Sequence, residues 1–272
     1  MAIEKYAVIG HPIEHSKSPL IHQAFARQFN KAIVYEKVLS PLDGFDATLQ
    51  RLRAEGYVGA NVTVPFKFEA FNACDTLSAR AQAAGAVNTL TFKGEAIVGD
   101  NTDGCGLVND ILTHQHTLLA GKKVLLLGAG GAAQGAVLPL LEQKPLQLTL
   151  ANRSVDKVQI MADRFASAAH QTTLQVRTFA DVSEAYDVIV NATSAGLSDS
   201  PLALPTDIFQ AETLAYDMMY GRETPFMQQA RGAGARVADG LGMLVEQAAE
   251  AFFLWHGVRP ATAPVIQSMR QS

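Results

Sequence analysis

This 272-residue chain predicts an α/β fold in two domains, and three observations support it. Short runs rich in β-branched residues alternate with helix-period patterns along the whole chain, as in proteins built on mostly parallel sheets. The strands are too many for one comfortable sheet. A glycine loop in mid-chain, Gly128-Ala129-Gly130-Gly131-Ala132, follows an apolar strand and opens a second α/β unit. The predicted domains are 1–104, with a mostly parallel sheet, and 105–239, with a Rossmann-like topology. Helices in 240–272 return to the first domain, and the two domains are expected to flank an active-site cleft.

Taken in order, Lys5–Ile9, Ile33–Val38, Val58–Val64 and Ala86–Phe92 read as strands because Val, Ile, Tyr and Phe recur in them. Helical spacing marks Leu20–Phe29, Phe45–Ala54, Phe66–Ala73 and a stretch near Leu77–Ala83. Ser18 and Pro19 supply an N-cap and a first helical residue for the first of these. A helix follows Asp103 to about His114. Val124–Leu127, Leu146–Ala151, Leu174–Thr178, Val188–Asn191, Leu214–Asp217 and Arg236–Asp239 are short strands, several of them separated by helical patterns. Gly240–Trp255 is a long helix stopped near Gly257 and Pro260, and a last helix starts at about Ala263.

Composition removes several classes of function. Hydrophobic residues make up 48% of the chain, enough for a sizeable core, and the net charge is −4. The basic residues are scattered, so no nucleic-acid partner is expected. Cys74 and Cys105 lack metal or redox spacing, and the seven histidines show no metalloprotease pattern, so no metal is expected. Val124 to Leu141 carries no charge, but glycines, Gln134 and Pro139 interrupt it, and a strand, a turn and a buried helix explain it better than a membrane span. The chain enters a strand at once with no signal-peptide pattern, which predicts a cytoplasmic protein with a small-molecule substrate and no membrane partner. It is expected to be a monomer or homodimer.

The glycine loop predicts a dinucleotide site. Gly128 permits the tight turn, Gly130 lets the backbone approach a pyrophosphate, and Ala133 is small enough for close helix–strand packing. The next strand ends at Asn152-Arg153-Ser154, with Lys157 one helical turn later. An NAD site keeps a carboxylate near this point, whereas the 2′-phosphate of NADP needs a cation. Arg153 and Lys157, with Asn152 and Ser154 as further donors, favour NADP, although the same residues would also suit a solvated helix start. Thr193, in Asn191-Ala-Thr193-Ser194-Ala-Gly196, follows a strand at the sheet end where ligands bind in open α/β folds.

In the first domain, Ser16 and Ser18 place two hydroxyls beside a helix N-terminus, an anion site suited to a carboxylate. Asn61 and Thr63 share one face of a strand, opposite Ala60, Val62 and Val64, a polar face expected to contact the substrate, and Lys67 follows at its carboxyl end. On the Gly240–Trp255 helix, Glu246 and Glu250 mark the wet face and Leu244, Ala248, Ala251 and Trp255 the dry one. Gln247 lies at the edge between them, where its amide would meet a ligand hydroxyl or solvent.

These segments together resemble the shikimate dehydrogenases. The resemblance rests on His15 to Pro19, Asn61 to Lys67 (NVTVPFK), Ala84–Thr89 (AGAVNT), Gly99–Gly104 (GDNTDG), the GAGGAA loop, the NRS turn, NATSAG, and Asp239 to Gln247, all in family order. It spans Gly10 to Gln247; Gln23 departs from it, standing where the first motif often ends in asparagine. It implies NADP-dependent reduction of 3-dehydroshikimate to shikimate, with Lys67 and Asp103 as the catalytic pair. Ser16, Ser18, Thr63, Asn88, Asp103 and Gln247 would hold substrate, with Tyr220 near it and Met218 and Gly240 at the nicotinamide. Two other readings stand beside this one: a quinate/shikimate dehydrogenase with broader substrate or NAD use, and a non-catalytic nucleotide sensor on the same fold. Arg153 and Lys157 argue against NAD, and retention of both Lys67 and Asp103 argues against a sensor.

Overall fold

The computed structural model describes residues 3–193 and 201–271. Its chain forms two compact units, Met1–Gly106 with Val245–Ser272, and Leu107–Leu244.

The first unit is built on a six-stranded sheet in the order β2-β1-β3-β5-β6-β4. Its strands are β1 (Glu4–Gly10), β2 (Ile33–Leu39), β3 (Tyr57–Val62), β4 (Thr76–Leu77), β5 (Thr89–Lys93) and β6 (Ala96–Asp100). β1 runs parallel to β2 and β3, and β4 runs parallel to β6. β5 is antiparallel to both β3 and β6, so the sheet is mixed. Among the described strands β5 alone runs against the other five, so the sheet is mostly parallel, as predicted; the strand at 96–100 is not among those predicted. The hairpin turns through Gly94, whose φ of +60° places it in the left-handed region. β6 ends in Gly99 and Asp100, which read as loop residues until they are paired.

Two further local expectations change. β3 ends at Val62, and Phe66 N donates to the Thr63 carbonyl at 3.1 Å, closing a turn. Val64 is therefore 69% exposed and does not share the buried face of Ala60 and Val62. Helix α1 (Ser18–Gln28) begins at Ser18 itself. Lys17 occupies the N-cap position and no side chain caps the helix, so the capping role expected of Ser18 is absent.

Helices α2 (Phe45–Ala54), α3 (Lys67–Asn72) and α4 (Ala79–Ala84) also belong to this unit. So does most of α9 (Leu241–His256), which returns to it from the second unit. Trp255 fixes its end, stacking on Tyr6 at 4.6 Å and donating from Nε1 to the Leu90 carbonyl at 3.1 Å. The dry face predicted for α9 is buried at Ala248 and Ala251, but the predicted wet face is not exposed. Glu246 and Glu250 are both 7% exposed, whereas Phe253 and Leu254 are 37% and 38% exposed. Glu250 tolerates burial because Arg80 and Arg259 pair with it, at 3.0 and 2.8 Å.

The second unit carries six parallel strands in the order β12-β11-β10-β7-β8-β9. They are β7 (Lys123–Leu127), β8 (Gln147–Asn152), β9 (Thr173–Thr178), β10 (Val188–Asn191), β11 (Leu214–Asp217) and β12 (Arg236–Ala238). Val124 to Leu127 are fully buried, as expected for a parallel strand covered on both faces. Chain order reverses between β7 and β10, the switch point at which doubly wound sheets open a crevice for ligands. Helix α5 (Asp103–Thr113) leads into this unit, and α6 (Gly131–Glu142), α7 (Val155–Phe165) and α8 (Pro225–Gly232) belong to it. Among the described residues, no helix is long and apolar enough to cross a membrane.

Candidate active site

In the first unit, polar side chains converge at the carboxyl end of β3. Lys67, the first residue of α3, places Nζ 2.6 Å from Oδ2 of Asp103, the first residue of α5. The other Asp103 oxygen accepts from Asn88 Nδ2 at 2.7 Å. Asn88 is 3% exposed, and its Oδ1 accepts from Thr102 N at 2.9 Å and Thr89 Oγ1 at 2.9 Å. From α9, Gln247 brings Oε1 to 3.3 Å from Asn88 Nδ2 and 3.4 Å from Thr102 Oγ1. A lysine and a carboxylate are thus held in one geometry by buried amides and hydroxyls whose own positions are fixed.

Asn61 lies behind this group. It is 6% exposed, its Oδ1 accepts from the Tyr35 hydroxyl at 2.7 Å, and its Nδ2 donates to Thr89 Oγ1 at 3.0 Å and the Asn88 carbonyl at 3.2 Å. Both amide hydrogens are committed to the protein, which does not suit the substrate contact expected of it. Thr63 is partly buried just beyond the end of β3. Ser16 and Ser18 stand together at the start of α1, with the Ser16 hydroxyl 3.3 Å from both Ser18 Oγ and Ser18 N.

The second unit holds the glycine loop at its switch point. Gly128 has a φ of +111° and donates from N to the Ala151 carbonyl at 2.8 Å. A side chain there would be strained and would lie 3.1 Å from the Ala192 carbonyl. Nothing lies within 4 Å of where a Cβ would project from Gly130 or Gly131. The start of α6 therefore faces open space, and no side chain caps it. A cavity of about 520 Å³ is lined by Gly128–Ala132, Asn152, Arg153 and Thr193, with Phe179 and residues 201–203 as further walls. No carboxylate is among its described lining residues. Ser154 and Lys157 are exposed at the start of α7 and do not line it. Ser154 occupies the N-cap position of α7 without a capping hydrogen bond, so that competing role for it is not made.

Thr193 donates from N and Oγ1 to Asn191 Oδ1 at 3.1 and 2.7 Å, and Asn191 Nδ2 donates to Asp217 Oδ2 at 3.0 Å. Asp217 also accepts from Met219 N at 2.9 Å, so one buried carboxylate ties the cavity wall to the turn after β11. Met218 lies in that turn, against Gly240, where a Cβ would fall 2.1 Å from the Met218 carbonyl oxygen. Tyr220 follows, half-buried, and burial raises its phenol above the ordinary value, keeping the hydroxyl a donor. Ser194 and Gly196 of the NATSAG segment lie outside the described residues.

Tyr35, Thr89, Thr102 and Arg80 were not assigned roles from the sequence. Thr89 and Thr102 sit inside the AGAVNT and GDNTDG segments, which was signal enough to find them. Tyr35 and Arg80 gave none, since a strand tyrosine and an arginine in a short helix read as ordinary core and surface.

A doubly wound unit with an open glycine loop, joined to a separate α/β unit bearing a lysine–aspartate pair, defines the class of dinucleotide-dependent oxidoreductases. Family models for the shikimate dehydrogenase substrate binding domain, shikimate / quinate 5-dehydrogenase and the shikimate 5'-dehydrogenase C-terminal domain match residues 8–90, 110–200 and 240–270. The chain belongs to the shikimate dehydrogenase family. It is 60% identical over 270 residues to the shikimate dehydrogenase (NADP(+)) of Methylobacillus flagellatus, covering 98% of this chain and 99% of that one. Among solved structures, an Ael1 enzyme from Pseudomonas putida superposes with a TM-score of 0.93 at 45% identity, covering 97% of each chain. The Thermus thermophilus shikimate 5-dehydrogenase, in complex with NADP(H) and shikimate, superposes with a TM-score of 0.87 at 31% identity over 99% of each chain.

Proposed function

We propose that this protein is an NADP-dependent oxidoreductase that interconverts 3-dehydroshikimate and shikimate in the shikimate pathway of aromatic amino-acid biosynthesis. The 2.6 Å pairing of Lys67 with Asp103 carries the reading, because a sensor needs no proton-transfer pair. The purified protein should be assayed with shikimate and with quinate, each against NADP and NAD. Shikimate with NADP is the expected best pair. Faster turnover of quinate with NAD would replace this reading, and no turnover with any pair would favour a binding protein.

NADPH, when bound, supplies the hydride that reduces the ring carbonyl. The residues present fit that cofactor: the uncapped first turn of α6, at Gly130–Ala132, suits the pyrophosphate, and Arg153, in a cavity with no carboxylate among its described lining residues, suits the 2′-phosphate. Asn152 serves the same phosphate end, with Ser154 and Lys157 reaching it from outside the cavity lining, and Thr193, Met218 and Gly240 serve the nicotinamide end. Lys67 donates a proton from Nζ to the carbonyl oxygen in reduction and recovers it in oxidation. Asp103 Oδ2 orients that ammonium, and Asn88 orients Asp103. Ser16, Ser18 and the N-terminus of α1 bind the substrate carboxylate. Thr63, Asn88, Gln247 and Tyr220 hold its hydroxyls, while Asn61 supports Asn88 and Thr89 from behind. The scattered basic residues and net charge of −4 support the absence of a nucleic-acid partner, and the protein is proposed to be a cytoplasmic monomer or homodimer with no membrane partner. Sedimentation would decide the oligomeric state.

Two results are expected. Arg153→Ala weakens NADP binding by about 1.5–3 kcal/mol, the range for a hydrogen bond to a charged group, and leaves NAD use nearly unchanged. Equal losses with both cofactors would show that Arg153 does not read the 2′-phosphate. Ser16→Ala with Ser18→Ala raises KM for shikimate about 10- to 100-fold and leaves KM for NADP unchanged. The melting temperature should move little, because the N-cap position belongs to Lys17 and the one bond lost to a first-turn amide, from Ser18 N to the Ser16 hydroxyl, is long at 3.3 Å. A large loss of stability with an unchanged shikimate KM would return the two serines to a structural role.

A further inference from the structure

Behind the Lys67–Asp103 pair, within the first unit, lies a second group of charges that the chemistry above does not use. Arg80, the second residue of α4, grips Asp100 with two nitrogens, Nε to Oδ1 at 2.6 Å and Nη2 to Oδ2 at 3.0 Å. The same Nη2 donates to Glu250 Oε1 at 3.0 Å. The side chains of Asp100 and Glu250 are only 13% and 9% exposed. Two screened carboxylates share one guanidinium, whose planar fork serves both where an ammonium would serve one.

Each carboxylate sits next to part of the proposed site. Asp100 is the last residue of β6, and its Oδ1 accepts from Asn101 N at 2.7 Å and from Ser78 Oγ at 2.6 Å. Asn101 in turn accepts from Asp103 N at 3.2 Å and donates to the Ala86 carbonyl at 3.0 Å. The turn that aims Asp103 at Lys67 is therefore anchored on Asp100. Glu250 lies three residues after Gln247, on the same side of α9. Its contact with Arg80 fixes the rotation and height of α9 at the point where Gln247 meets Asn88 and Thr102.

We propose that Arg80 is a positioning residue for the reaction: its guanidinium sets the Asp100–Asp103 turn and the Gln247 segment of α9 in register with each other. One arm acts on the proton-transfer pair and the other on substrate hydroxyl binding. This rests on the assignment of Gln247 and Asp103 to the substrate site.

The two arms separate by kinetics. Glu250→Gln keeps the shape of the side chain and weakens the α9 arm together with the 2.8 Å pair that Glu250 makes with Arg259. It should raise KM for shikimate about tenfold, with kcat and KM for NADP nearly unchanged. Arg259→Gln is its control and should leave KM for shikimate unchanged; a roughly tenfold rise there would overturn the role of Arg80. Asp100→Asn weakens the turn arm and should lower kcat about tenfold with a smaller change in KM. Arg80→Gln should do both, with some loss of melting temperature because Asp100 loses its cation and Glu250 is left with Arg259 alone. Glu250→Gln is the decisive variant, since it retains a hydrogen-bonding group and is the least disturbing to the fold.

The test is a double-mutant cycle of Glu250→Gln with Gln247→Ala, reading KM for shikimate. If Glu250 acts through Gln247, the roughly tenfold effect disappears once Gln247 is alanine. An effect of the same size in both backgrounds, or no effect of Glu250→Gln beside a raised KM in Gln247→Ala, overturns the positioning role alone. A normal shikimate KM in Gln247→Ala overturns the assignment of Gln247 to the substrate, and this proposal with it.

Discussion

Lys67→Ala is expected to lower turnover by about 10²–10⁴-fold, the usual contribution of a positioned general acid or base. NADPH binding, read by fluorescence titration, should survive, because the glycine loop lies in the other compact unit. The melting temperature should barely change, since a partly exposed ion pair adds little to stability. Asp103→Asn should also cut turnover sharply. It removes the anion that holds Lys67 Nζ at 2.6 Å and presents an amide that must compete for the same space. The double variant is the stronger test. Residues that act as a unit are not additive, so Lys67→Ala with Asp103→Asn should be far less impaired than the product of the single effects. Full multiplicativity would separate their roles, and near-normal turnover in Lys67→Ala would remove the mechanism.

Acid should destabilise the protein through His22. Its ring is fully buried, stacked on Tyr35 at 4.3 Å and surrounded by Phe25, Phe252 and Trp255. Neither ring nitrogen has a hydrogen-bond partner among the described residues. Burial, reinforced by the neighbouring His256, pushes the imidazole down from 6.5 to about 3. The folded protein therefore refuses a proton that the unfolded chain accepts. Stability is fully present above about pH 6.5 and falls as the pH drops toward about 3, with a slope approaching ~1.4 kcal/mol per pH unit. Calorimetry should show a loss of roughly 3 kcal/mol between pH 7 and pH 4 from this group. His22→Phe keeps a flat ring and has nothing to protonate, so its melting temperature should fall less over the same range. Parallel decline in both proteins would clear His22 of the effect.

The cofactor half was legible in the sequence because its signals are local. A strand that runs into Gly128-Ala-Gly130 and then a helix is a contiguous pattern, and so is Arg153 at the end of the next strand. The two central strands of the second unit announced themselves as continuous apolar runs, Val124–Leu127 and Val188–Val190. Five- to nine-residue segments around Ser16, Lys67, Asp103 and Gln247 were recognisable as a set.

What those side chains touch was decided by tertiary contacts alone. Asn61 looked available on a polar strand face, yet Tyr35, Thr89 and the Asn88 carbonyl take up its amide. Ser18 had the right chemistry for a cap, but the turn through Ser16 starts the helix one residue too early for it to serve as one. The strand at Ala96–Asp100 is a strand only because β5 lies beside it. Glu250 was assigned to water on its charge, and it is buried because Arg80 arrives from a distant part of the chain and Arg259 folds back from just beyond the end of α9. A local pattern reports the backbone's preference and the spacing of apolar residues. The cost of burying a polar or charged group depends on its partners, and those are brought by the fold.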